Sequence, residues 1–175
     1  MASGLPDGVD RKHGSAPYPD VGTRVRRVLL GIPALLVVLG LLNTFGQRAS
    51  LSQADTSAAK LSVSAPNDLR GGLVFQVRID ITAHRRLGHP TLTFSHAWFD
   101  SMSTNAVVPQ PSTQASAGGD PAFQLSPIPA GQTATYWFYF QVNPTNVGWR
   151  RPETVELADG ATPVASIHRT LTIYP

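Results

Sequence analysis

The sequence predicts an all-β chain: an antiparallel immunoglobulin-like β-sandwich of seven or eight strands, preceded by a single transmembrane α-helix. Three observations carry this. Val28–Gly46 runs for nineteen residues without a charge, eleven of them Leu, Ile or Val. From Ala59 onward apolar and polar residues alternate, which is the period of a half-buried strand, and no helical period recurs. Pro- and Gly-rich turns separate the alternating runs, as in a two-sheet sandwich.

In chain order, residues 1–27 form a basic leader, and 1–23, rich in Gly, Pro, Asp and Ser, read as disordered. The span follows at 28–46. As a helix rising 1.5 Å per residue it covers about 28 Å, close to the hydrocarbon core of a bilayer. Pro33 introduces a kink that membrane helices tolerate. The segment reads as an uncleaved anchor rather than a signal peptide. Its best cleavage pattern, Ser52-Gln53-Ala54, lies twelve residues past Leu42, beyond Arg48. Arg24, Arg26 and Arg27 crowd the N-terminal side, so the positive-inside rule keeps that side in the cytoplasm and places everything from Gln47 onward outside it.

Residues 47–58 read as a flexible tether, and 59–175 as an extracytoplasmic sandwich domain. Strands are predicted through Leu61–Ala65, Leu73–Thr82, Thr91–Phe99 and Met102–Val108, with Pro109–Pro121 an exposed loop. A short strand passes Phe123 and Leu125. The strongest run, QTATYWFYFQV, places Tyr136, Phe138, Phe140 and Val142 on one face and Trp137 and Tyr139 on the other. A hairpin turning at Asp159-Gly160 closes the chain, its last strand aligning Ala165, Ile167, Leu171 and Ile173, with Arg169 interrupting that face.

The order VRRVLLG…LLNTFGQR, KLSVSAP…RGGLVFQVRI, LSPIPAGQTATYWFYFQVNPTNVG and RTLTIYP resembles a family of small membrane-anchored proteins of high-GC bacteria. The resemblance covers residues 24–175, most specifically QVNPTNVG at 141–148. It implies one N-terminal span and one extracytoplasmic immunoglobulin-like domain, and it implies no activity and no site.

Composition excludes more than it selects. The formal net charge of +3 comes entirely from residues 1–49, with six Lys/Arg against three Asp; beyond them eight basic residues balance eight acidic ones. The excess suits anionic lipid beside the membrane, and the outer domain has no basic stripe for nucleic acid. No cofactor or metal is expected. His84 and His89 lie in a loop without ligand spacing, and His96 follows the inward parity of its strand. There is no G-x-S-x-G or S-x-x-K nucleophile pattern, so an enzyme is not expected.

What remains is surface. Trp137, Tyr139 and Phe99 take the outward parity of their strands, and Trp and Tyr exposed on a sheet mark contact surfaces. The loop after the aromatic strand adds Trp149, Arg150 and Arg151, either a contact grouping or, the preferred reading, an end plug in which Trp149 tucks into the core. The expected function is a non-catalytic, membrane-tethered interaction module that binds another cell-envelope protein. The alternative is a small-ligand or glycan-binding domain in which Trp137, Tyr139 and Trp149 stack on sugars.

Overall fold

The computed structural model describes residues 20–42, 47–100, 102–117 and 119–175. They belong to two compact units, one ending at Phe45 and one beginning at Gly46. The first unit is described as a helix, α1, Asp20–Leu41, with Pro33 inside it. It begins before the expected span and takes in Arg24, Arg26 and Arg27, so Asp20–Thr23 are helical where disorder was expected. Its apolar part, Val28–Leu41, is fourteen residues, about 21 Å of rise. Among the described residues no helix is long and apolar enough to cross a membrane. The last part of the expected span, 43–46, and the leader's first nineteen residues lie outside the described residues.

The second unit is a sandwich of eleven described strands, more than the seven or eight expected. They are β1 (Ala49–Asp55), β2 (Ala59–Pro66), β3 (Asp68–Arg70), β4 (Val74–Ala83), β5 (Pro90–Phe94), β6 (Met102–Val108), β7 (Thr113–Ala117), β8 (Asp120–Gln124), β9 (Thr133–Val142), β10 (Gly148–Asp159) and β11 (Thr162–Tyr174). A one-turn helix, α2, spans His96–Phe99. The five-stranded sheet has the order β1-β2-β4-β9-β6 and the six-stranded sheet β3-β11-β10-β5-β8-β7. Every pairing is antiparallel except β3 with β11. Most connections carry the chain from one sheet to the other, so the two inner faces are stitched together along the whole domain.

Alternation builds the core as the sequence predicts. Phe75, Val77, Ile79 and Ile81 of β4 and Tyr136, Phe138, Phe140 and Val142 of β9 are all buried. Against them the other sheet sets Phe94, Val155, Leu157, Ile167 and Leu171. The centre is aromatic: Phe94 lies 5.1 Å from Phe138 and 5.5 Å from Trp98, and Phe123 meets Phe138 edge-on at 5.1 Å. Such tilted and edge-on pairs each add about 0.5–1.5 kcal/mol beyond the area they bury.

Four expectations are corrected. The supposed tether contains β1, which pairs along its whole length with β2, from Ala49↔Pro66 to Asp55↔Lys60. Apart from Leu51 its side chains are polar or small because it is an edge strand, held by backbone pairing rather than by burial. The supposed loop Pro109–Pro121 contributes β7 and part of β8, a hairpin at the edge of the six-stranded sheet. Past Phe94 the third expected strand gives way to α2: Trp98 is still buried, but His96, expected to face inward, has a side chain 70% exposed and meets Asp100 at 3.0 Å. The hairpin also turns one residue later than expected, at Gly160-Ala161, because Asp159 stays paired with Thr162 while its carboxylate accepts from the His89 amide at 2.7 Å.

Candidate functional site

The outer face of the five-stranded sheet is organised by β9. Because its odd-numbered side chains point away from the core, Trp137 and Tyr139 emerge half-buried at mid-sheet, as the parity predicts. Register places Trp137 in a row that crosses every strand of the sheet: Leu51, Ser64, Arg78, Trp137 and Val108. The row's two ends are apolar and open, with Leu51 60% and Val108 51% exposed. The segment 109–121 that could have covered these aromatics instead joins the other sheet.

Polar neighbours fix the aromatics in place. The Arg78 guanidinium sits 5.3 Å from the centre of the Trp137 ring. It is held there by Asp80, whose carboxylate accepts from Arg78 Nε at 3.1 Å and from Thr135 Oγ1 at 2.6 Å. Gln76 Nε2 donates to the Tyr139 hydroxyl at 3.3 Å. Side chains held by such contacts lose little rotamer entropy when a partner covers them. The sequence pointed to Trp137 and Tyr139; it did not point to Arg78, Gln76 and Asp80, whose role depends on cross-strand register.

The second group, Trp149, Arg150 and Arg151, lies where β10 begins, at an end of the sandwich and not on this face. The pairing of β10 with β11 is broken by a bulge between Gly148 and Arg151, and Arg150 takes a φ of +47°. The bulge turns Trp149 outward. It is 73% exposed and meets the Tyr174 ring edge-on at 6.4 Å, so the expected end plug is corrected. Arg151 folds back instead: a Cβ on Gly148 would collide with its side chain, and its Nη2 lies 3.8 Å from Asp100. The Phe99 side chain lies outside the described residues. The structure therefore separates the predicted site residues into a face and an end.

Beneath that end lie two buried ionisable side chains whose pairing across the ladder sequence reading passed over. Glu153 and Arg169 face each other across the β10–β11 ladder, 3% and 8% exposed. Burial pushes the Glu153 carboxyl up to about 8, against the opposing pull of Arg169 and Arg151. Its Oε1 has no hydrogen-bond partner. Arg169 turns to the other sheet and donates to the carbonyls of Val63 and Ala65 and to Asn67 Oδ1. Elsewhere His84 pairs with Asp55 at 2.8 Å, and His168 Nδ1 lies 3.0 Å from Thr154 Oγ1. Among the described residues no three His, Asp or Glu side chains are grouped to hold a metal ion.

No family model matches the sequence, and no curated relative does. Among solved structures the chain is similar to AvmM, which catalyses macrocyclization in alchivemycin A biosynthesis, at 8% identity and a TM-score of 0.44 over 74% of this chain and 90% of that one. It is also similar to CaCohA2 from Clostridium acetobutylicum, at 12% identity and a TM-score of 0.42 over 73% of this chain and 92% of that one. A family 123 glycoside hydrolase from Clostridium perfringens is similar at 10% identity and a TM-score of 0.39, over 72% of this chain and 27% of the enzyme.

Proposed function

We propose that the chain is a non-catalytic interaction module, tethered to the bacterial cell membrane, that docks on another envelope protein through the outer face of its five-stranded sheet. The observation that carries this is the Leu51–Ser64–Arg78–Trp137–Val108 row. It joins a Trp/Arg pair to open apolar positions at both edges, and Trp, Tyr and Arg are the residues on which contact energy concentrates.

The glycan alternative is less well supported by the same geometry. The Arg78 guanidinium already covers one face of Trp137, and Trp149 stands at an end of the sandwich rather than on this face, so Trp137, Tyr139 and Trp149 do not form one stacking platform. Support for the tether comes from Val28–Gly46, uncharged throughout, and from α1. From Val28 to Leu41 its large apolar side chains stand mostly 49–82% exposed on every side, and a helix apolar all round requires an apolar surrounding. We read the two packed sheets, joined by crossing connections, as an immunoglobulin-like arrangement.

The test is co-purification from detergent-solubilised membranes. Wild type retains a partner that Trp137→Asp loses, while a cooperative melt shows that the variant is still folded. Retention by cell-wall fragments with no partner protein present would favour the glycan reading instead.

A further inference from the structure

We propose that the end of the sandwich carrying Leu73, Val147, Trp149 and Tyr174 rests in the headgroup layer of the membrane. The inference deepens the tethered reading above and rests on it.

Register defines this end. The first residue of β1, Ala49, is paired with Pro66 at the close of β2. The start of β4 lies opposite the close of β9, Val74↔Gln141, and the start of β10 lies opposite the close of β11, Gly148↔Ile173. The segments 71–73, 143–147 and 172–174 therefore gather at the end where the chain enters the domain. Backbone bonds lock them together: the Gly71 amide donates to the Tyr174 carbonyl at 2.9 Å and the Gly72 amide to Val142 at 3.1 Å. Gly71 is required there, since a Cβ would stand 2.9 Å from the Pro144 carbonyl oxygen.

This end is unusually apolar for a solvent-facing surface. Among the described residues of the sandwich, seven large apolar side chains are exposed, and five of them are here: Leu73, Val74, Val147, Trp149 and Tyr174. Arg48, Arg70 and Arg150 lie at the same end and are exposed; Asp68 and Asp100 are the acidic groups beside them, the latter facing Arg151. Trp and Tyr with an apolar body and a polar tip, ringed by arginines, form the composition of a membrane–water interface.

The corrected role of residues 47–58 fixes which end this is: β1 begins at Ala49, so the chain enters the sandwich at this end and not at the opposite one.

The experiment reconstitutes the full chain into phosphatidylcholine/phosphatidylglycerol vesicles, with and without bromine on the acyl chains, and reads flotation and tryptophan fluorescence. The expected result is that the chain floats with the vesicles, that brominated lipid quenches the wild type, and that W149F loses most of that quenching while Trp98 and Trp137 still emit. Arg70→Glu with Arg150→Glu lowers the quenching in anionic vesicles and leaves flotation intact. A chain that floats but is not quenched, or is quenched equally in W149F, overturns the inference and leaves the tether standing. A chain that does not float overturns both.

Discussion

Arg169 on β11 donates through Nη2 to the carbonyl oxygen of Ala65 on β2 at 2.6 Å, and so ties the two sheets together near the end where the chain enters the domain. The same nitrogen reaches Asn67 Oδ1 at 2.6 Å, and Nη1 reaches the Val63 carbonyl at 3.3 Å. Replacing Arg169 by Met removes these donors and is expected to lower stability by about 2–4 kcal/mol. Lysine supplies a single point charge in place of the planar fork and restores only part of the loss. Thermal melting of the three chains measures both effects.

Glu153, beneath that bridge, makes stability depend on pH. Its carboxyl is raised from 4.5 to about 8 in the folded chain. Below pH 4.5 both folded and unfolded forms are protonated and the group contributes no pH dependence. As pH rises towards 8 the unfolded chain ionises first, so stability falls by up to about 1.4 kcal/mol per pH unit, and above 8 the slope ends. Glu153→Gln is expected to flatten the profile across that window and to be more stable than wild type at pH 8. Denaturation at stepped pH values checks the sign.

Phe138 makes edge-on contacts with Phe94 and Phe123 and is fully buried. Phe138→Ala is expected to cost about 3–5 kcal/mol. On the opposite face of β9, Thr135→Ala removes one hydrogen bond to Asp80 and is expected to cost about 1 kcal/mol. Equal losses in melting would reverse the parity assigned to β9.

Trp149→Ala separates an exposed contact residue from a core plug. At 73% exposure, with only the Tyr174 ring edge-on to it, its loss is expected to move stability by less than about 1 kcal/mol. A drop of several kcal/mol on melting would return Trp149 to the core.

The legible parts of the fold were those in which burial writes a period into the sequence. β4, β9 and β11 alternate over ten or more residues because one face is core, and even Arg169 could be placed on the inner face of β11 from parity. β1 and β7 could not be read in this way. ASLSQAD and TQASA are edge strands whose energy lies in backbone pairing, which leaves no apolar period. Trp98 has the same inward strand parity as His96, yet it is buried by one helical turn, which leaves His96 exposed. Of the candidate site, Trp137 and Tyr139 were legible from parity alone. Arg78 over Trp137 and Gln76 against Tyr139 were not, because nothing in a single strand states which residue of its neighbour lies opposite. The outward turn of Trp149 depends on a bulge and a positive φ at Arg150, neither of which has a periodic signal.

The most direct measurement of the docking claim is site-specific photocrosslinking in intact cells. One crosslinker replaces Val108, at the open edge of the Trp137 row, and another replaces Glu156, exposed on the outer face of the six-stranded sheet. The account predicts an adduct of one defined mass from position 108, abolished by Trp137→Asp, and none from position 156. Adducts of equal yield from both positions, or an adduct at 108 that survives Trp137→Asp, would contradict it.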